Sequence, residues 1–163
     1  MDHKILMNKL EFYGIEGKFK TLITSYLTGR HQNVTLNNNT NNSSSSKWEM
    51  IKNGVPQGSF LSPLFLLLYI NDLPKISTKN YSMVLFVDDT SLLTTGFNKL
   101  DFNLNINQSL HSKISWFNSN LLTLNVDKSH CVEFITKNYY QVETIVRYEQ
   151  KIFPIPQRLN FLD

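Results

Sequence analysis

The sequence predicts an α+β fold, a small antiparallel sheet backed by helices. Three observations carry this reading. Apolar residues recur at helical spacing in several separate segments. Short β-branched and aromatic runs come in pairs joined by turn-forming residues. The elements follow in the order α, α, ββ, α, ββ, α, β, ββ without an internal repeat, which is unlike the strict strand–helix alternation of a parallel sheet. At 163 residues and 41% hydrophobic content, the chain is long enough for one domain with a real core.

The elements can be justified in order. HKILMNKLEFYG reads as a short helix with Ile5, Leu6, Leu10 and Tyr13 on one side and Gly14 closing it. KFKTLITSYLTGR reads as a second helix, in which Phe19, Leu22, Ile23, Tyr26 and Leu27 keep the period and Gly29 sits at the C-terminal cap. QNVTL and KWEMI flank the polar tract from Asn37 to Ser46, so this region reads as a hairpin whose tip is a low-complexity loop. GVPQGS is a turn-rich loop leading into SPLFLLLYINDLP. There Ser62 and Pro63 suit the N-cap and first helical position, Leu64 to Ile70 are apolar on every face as in a buried helix, and Pro74 ends the run. YSMVLFV and TSLLTT are two strand-like runs. Leu100 to Leu121 reads as an amphipathic helix, with Ile106, Leu110, Ile114, Phe117 and Leu121 on its apolar face. CVEFIT reads as a strand, and VETIVRY with KIFPI as a closing hairpin at a sheet edge, since Pro154 cannot donate to a ladder.

Composition narrows the function. The net charge of +3 is compatible with a nucleic-acid partner without requiring one. The single cysteine, Cys131, rules out an internal disulfide and suits a reducing, intracellular compartment. The longest apolar run, after Pro63, is too short to cross a bilayer, and MDHKILMNKL lacks the features of a signal peptide, so no membrane association is expected.

The stretch MVLFVDDTSLL places Asp88 and Asp89 side by side within an apolar run. Two carboxylates about 5 Å apart repel by roughly 1 kcal/mol in water and about 3 kcal/mol at an effective dielectric near 20. Side chains alternate along a strand, so the pair can converge only where the chain turns. Apolar run, Asp-Asp, apolar run is therefore a tight hairpin with carboxylates at its tip. On their own the two residues are either turn formers or hard oxygen ligands for a divalent metal, which would turn their repulsion into attraction. GVPQGSFLSP is the second element. Gly54 and Gly58 bracket Pro56 and Gln57 just before a helix N-terminus, where backbone can approach a ligand and anionic groups are favoured. Gln57 offers both donor and acceptor for a base edge or sugar, or is simply solvated in a plain capped loop.

Taken together and in this order, GVPQGSFLSPLFLLLYINDLP followed by LFVDDTSLL resembles the reverse transcriptases of non-LTR retrotransposons, of the jockey-like or LINE type. MDHKILMNKLEFYGI looks like the segment just after that family's first aspartate motif. SYLTGRHQNVTL and KWEMIKNG resemble the strands leading into its Pro-Gln-Gly loop. SWFNSNLLTLNVDKSHCVEF resembles the helix, loop and strand that carry its lysine, here Lys128. RLNFLD resembles the start of its primer-grip strand, where the family usually reads Phe-Leu-Gly. RNA-directed RNA polymerases also carry paired aspartates, but the Pro-Gln-Gly loop and LNVDKS speak against them.

The resemblance implies a polymerase palm-like sheet, truncated at both ends of the chain. It implies an RNA-directed DNA polymerase with Mg²⁺ as a two-ion cofactor, acting on an RNA template, a DNA primer and deoxynucleoside triphosphates. Asp88 is then the direct metal ligand and Asp89 its weaker partner. Pro56, Gln57 and Gly58 line the nucleotide and template site, and Lys128 stabilises charge or donates a proton at the departing pyrophosphate. Arg30 either touches nucleic acid or is simply exposed. The family's third aspartate would precede Met1, the fingers would lie upstream and the thumb beyond Asp163. The expectation is a palm fragment with little or no activity alone, with a non-catalytic remnant that binds RNA or a partner protein as the alternative.

Overall fold

A computed structural model describes residues 1–37, 43–56, 58–86, 89–135, 146–148, 151–153 and 157–160. Its elements are mixed α+β, as the sequence predicts, but the sheet departs from the expectation. The chain divides into two compact units, Met1–Asn71 and Asp72–Asp163. Its strands form five separate two-stranded pairs among the described residues, where a single small antiparallel sheet was expected.

In the first unit, α1 (His3–Phe12) starts at Asp2, whose Oδ1 accepts a hydrogen bond of 2.9 Å from the Ile5 amide. This satisfies one of the amides that a helix start leaves open. α2 (Gly17–Leu27) is followed by Gly29 at φ +68°, a left-handed stop that the sequence anticipates. Leu6 and Leu10 of α1, Leu27 of α2, and Phe65, Tyr69 and Ile70 of α3 (Leu61–Ile70) are the buried apolar residues. Tyr69 ties α3 to α1 by polar contacts as well. Its hydroxyl accepts from the Asp2 amide at 3.3 Å, and its carbonyl accepts from Lys9 Nζ at 2.6 Å.

α3 departs from its expected burial. The helix is apolar all round, yet only the face with Phe65, Tyr69 and Ile70 is buried, while Leu61, Leu64 and Leu67 are exposed, Leu67 at 54%. It also starts earlier than the Ser62-Pro63 signal suggests, because the turn before it is already helical at Phe60. Between α2 and α3, β1 (His31–Gln32) pairs with β4 (Glu49–Met50), and β2 (Thr35–Asn37) with β3 (Ser43–Ser45), both antiparallel. The ladder therefore runs into the polar tract: Ser43 to Ser45 are strand residues opposite Asn37 to Thr35. The remaining part of that tract, residues 38–42, lies outside the described residues.

In the second unit, a short 3-10 helix (Leu73–Ile76) precedes β5 (Tyr81–Phe86) and β6 (Asp89–Thr94). The two strands pair antiparallel from Tyr81↔Thr94 to Phe86↔Asp89. Burial alternates along both: Tyr81 and Met83 are buried and Leu85, Thr90, Leu92 and Thr94 half-buried, whereas Ser82, Val84, Phe86, Asp89, Ser91 and Leu93 are exposed. This is the period of two that a sheet covered on one face demands. The cover is α4 (Lys99–Ser119), begun by Asn98, whose side chain accepts from the Asp101 amide at 2.9 Å. Gly96 makes the approach to α4 possible, because a Cβ there would fall 2.5 Å from the Phe102 nitrogen.

Leu110 of α4 packs with Val146, surrounded by Ile106, Ile114, Leu124 and Cys131. Leu121, expected on the apolar face of α4, lies beyond its end and is exposed. β8 (Val146–Tyr148) and β9 (Lys151–Phe153) form the predicted closing hairpin; Pro154 lies outside the described residues. β7 (Val132–Ile135) pairs with β10 (Gln157–Asn160) in parallel, which corrects the all-antiparallel expectation. A parallel partner needs a long connection, and the β8–β9 hairpin lies within it. Lys99 and Glu133 form a largely buried ion pair of 3.1 Å between the start of α4 and β7. No helix among the described residues is long and apolar enough to cross a membrane.

Two predictions follow from this packing. Phe65→Ala should cost about 3–5 kcal/mol in urea unfolding, and Leu67→Ala within about 1 kcal/mol of nothing; equal losses would place both faces of α3 in the core. Burial, with Glu133 adding to it, pushes the Cys131 thiol above its ordinary range. Less of it is thiolate near pH 8, so iodoacetamide should alkylate the native chain about tenfold more slowly than the urea-unfolded chain. Equal rates would contradict that environment.

Candidate active site

The first candidate element is the loop from Gly54 to Ser59. Gly54 at φ +82° and Gly58 at φ +79° adopt left-handed backbone that other residues rarely take. Both face open space where a Cβ would stand, so the requirement is conformational and the loop surface is accessible. Its start is braced by the chain's first residues. The Gly54 amide donates to the Met1 carbonyl at 2.7 Å, His3 Nε2 donates to the Gly54 carbonyl at 2.7 Å, and Asp2 bridges Asn53. Its end is braced by Tyr26 of α2, whose hydroxyl donates to Ser59 Oγ at 2.6 Å. Ser59 Oγ also accepts from the Leu61 amide at 3.3 Å, and Ser62 Oγ donates to the Pro56 carbonyl. Pro56 is thus half-buried and held, Gly58 is exposed, and Gln57 lies outside the described residues.

Arg30 is neither free nor remote from these residues. Its guanidinium lies 4.4 Å over the Tyr26 ring, and its Nε donates to the Tyr26 carbonyl. One tyrosine therefore orders both Arg30 and Ser59. The surplus positive charge of the chain falls entirely in this unit: Met1–Asn71 holds seven Lys and Arg against four Asp and Glu, and the remainder nine against nine.

The second candidate element is the β5–β6 hairpin. Phe86 pairs with Asp89, and two residues of sequence, Val87 and Asp88, separate them and lie outside the described residues. Asp89 begins β6 on the outward face and is exposed, next to Phe86, which is exposed at 75%. The Asp89 carboxylate makes no hydrogen bond or ion pair with another described residue. An exposed, uncommitted carboxylate at a hairpin tip fits a hard divalent cation such as Mg²⁺. Among the described residues no three of His, Cys, Asp and Glu gather around a common point.

α4 holds this hairpin by a row of polar contacts besides its apolar ones. Asn105 Nδ2 donates to the Thr95 carbonyl at 2.9 Å, Ser109 Oγ lies 3.3 Å from Thr94 Oγ1, and Tyr81 Oη donates to Ser112 Oγ at 3.3 Å. Lys113 Nζ donates to the Thr90 carbonyl at 3.3 Å, one residue past Asp89. Lys128 closes a 3-10 turn (Val126–Lys128), with its amide donating to Asn125 Oδ1 at 3.3 Å and its side chain exposed.

Sequence reasoning missed the residues that hold these elements: His3, Tyr26, Ser59 and Lys113. Helical spacing does not pair Tyr26 with Arg30, because the helix ends at Leu27 and Gly29 turns the chain between them. Lys113 falls on the apolar face marked by Ile106, Leu110 and Phe117, an anomaly visible in the sequence. Nothing in the sequence points to His3 or Ser59.

The described site features are thus an exposed acid at the start of β6 and, in the other unit, a glycine-bracketed loop. The family model for reverse transcriptase (RNA-dependent DNA polymerase) matches residues 1–156, and the chain belongs to that family. No curated protein and no solved structure matches it.

The Tyr26 contact gives a direct test. Tyr26→Phe keeps the ring under Arg30 but removes the donor to Ser59, and should lower stability by about 0.5–1.5 kcal/mol. The Leu61 amide should also exchange with solvent faster. Unchanged exchange there would show that the hydroxyl does not hold the loop.

Proposed function

We propose that this chain is palm-forming sequence of a non-LTR retrotransposon reverse transcriptase, and that it serves Mg²⁺-dependent nucleotidyl transfer onto a DNA primer along an RNA template. The observation that supports it most is the family match over residues 1–156, within which the exposed Asp89 stands at the start of β6. In this reading Asp88 and Asp89 hold the metal. Pro56, Gln57 and Gly58 contribute to nucleotide and template binding. Arg30, fixed on Tyr26, contacts nucleic-acid phosphate or base. Lys128, solvent-facing and without a described ion-pair partner, neutralises charge at the departing pyrophosphate. Bound at the carboxylates, Mg²⁺ supplies charge stabilisation to the attacking and leaving oxygens.

Asp88 and Asp89 are two carboxylates where the family's chemistry takes three, so the isolated chain is proposed to be a poor catalyst. With Mg²⁺, RNA template, DNA primer and deoxynucleotides it should show no extension above background. Extension abolished by Asp88→Ala would overturn the inactivity while keeping the chemistry, and extension that survives Asp88→Ala would overturn the site. The concentration of positive charge in Met1–Asn71 favours one alternative, a non-catalytic RNA-binding remnant. Salt-sensitive RNA binding unchanged by Asp88→Asn and Asp89→Asn would support it.

A further inference from the structure

The strands between α2 and α3 form a ribbon whose two registers do not match. His31↔Met50 and Gln32↔Glu49 set one, and Thr35↔Ser45 and Leu36↔Ser44 set the other. The second extends to Val34, whose carbonyl accepts from the Ser46 amide at 2.9 Å and whose amide donates to Ser46 Oγ at 3.0 Å. Counted from β1–β4, Asn33 stands opposite Trp48; counted from β2–β3, it stands opposite Lys47. Two residues therefore oppose one. This is a β-bulge, which re-aims side chains.

The bulge decides what each face of the ribbon carries. Faces alternate along a strand, so His31, Asn33 and Thr35 share one. Their partners Met50 and Ser45 lie on it too, and the Thr35 and Ser45 hydroxyls meet there at 3.0 Å. Alternation back from Met50 and forward from Ser45 puts Trp48 and Lys47 on that same face, where an unbroken ladder would separate two adjacent residues. Glu49, the acid of the ribbon, falls on the other face with Gln32, Val34 and Leu36. One face thus holds an indole, an ammonium, an imidazole and small polar groups, and no carboxylate.

This face is not core. His31, Lys47, Trp48 and Met50 are all exposed, Trp48 at 66%. Among the described residues the indole makes no hydrogen bond or ring contact, and Lys47 no ion pair. An aromatic ring in water beside an ammonium, in the unit that carries the surplus positive charge, matches an unpaired nucleotide strand. A base stacks on the ring and a phosphate meets the charge. A second copy of the same face would bring ammonium groups of like sign into one interface.

We propose that this face of the ribbon binds single-stranded nucleic acid, with a base stacked on Trp48 and a phosphate on Lys47. The inference rests on the reading of the chain as one that handles nucleic acid, and adds a strand contact apart from the glycine loop and the acid-tipped hairpin.

The experiment is fluorescence anisotropy of labelled oligouridylate and oligodeoxythymidylate with the full chain, together with the chain's tryptophan emission. A bound strand should quench the emission of the wild type and not that of Trp48→Phe, in which Trp116 alone emits. Trp48→Ala should weaken binding about tenfold, the loss of one base stack, and Trp48→Phe by less than about threefold. Lys47→Gln should flatten the slope of log K against log salt by about 0.7, the share of one phosphate on a single strand. Val34→Ala, on the opposite face, should change neither affinity nor slope. Circular dichroism confirms folding, and if Trp48→Ala does not fold, the emission of Trp48→Phe decides. If the wild type binds a strand but folded Trp48→Ala binds it equally well, or the quench persists in Trp48→Phe, the ribbon proposal is overturned and the nucleic-acid reading stands. If the wild type binds neither strand, that reading fails for this chain and the proposal with it. Self-association abolished by Trp48→Ala, without strand binding, would assign the face to a second copy and overturn the proposal.

Discussion

Burial of Tyr81 and Met83 against α4 decides where every other side chain of the β5–β6 hairpin points. Faces alternate residue by residue, so with those two inward, Leu85, Thr90, Leu92 and Thr94 face in and Phe86, Asp89 and Leu93 face out. A slip of one residue would turn Asp89 toward α4 and Met83 toward water, losing apolar burial and desolvating a charge at once. Polar contacts from Asn105, Ser109, Ser112 and Lys113 pin the same register, because each meets a particular residue of the hairpin and would miss its neighbour. Asp89 is placed by packing further along the same two strands.

The loop in the first unit obeys a different constraint. Its backbone is left-handed at Gly54 and Gly58, and besides the bridge from Met1 and Asp2 at its start it is held by side chains from outside the loop. His3 and Tyr26 do this from opposite ends. Both elements therefore share a design: their exposed residues are kept in place by residues packed beside them.

Much of the fold was legible where local chemistry decides it. α1, α2 and α4 follow from apolar spacing and from Gly14 and Gly29, and the β5–β6 and β8–β9 hairpins from paired apolar runs. What was not legible depends on partners distant in sequence. The parallel β7–β10 pair needs knowledge of which strand comes beside which. The half-exposed α3 shows that apolar composition states what a helix can bury, and only the neighbour, here α1, decides which face it does bury. The strand formed by Ser43 to Ser45 shows a ladder imposed on residues of low strand propensity by the paired segment across from them. Taken alone, the acid pair and the glycine loop were open to a structural reading, as turn formers and a capped loop; only their order along the chain with the neighbouring segments carried a functional expectation. Lys113 lies on the apolar face of α4, where a single lysine is easily read as a solvated side chain.

The most direct test of this account is where a bound cation sits. In a backbone nuclear magnetic resonance spectrum of the full chain, Mn²⁺ added in small amounts should broaden the amides from Phe86 to Ser91 first. The effect should disappear when Asp88 and Asp89 are both changed to Asn. Broadening centred instead on Asp101, Asp127 or Glu133, or spread evenly over the chain, would contradict the claim that the β5–β6 hairpin presents a metal site.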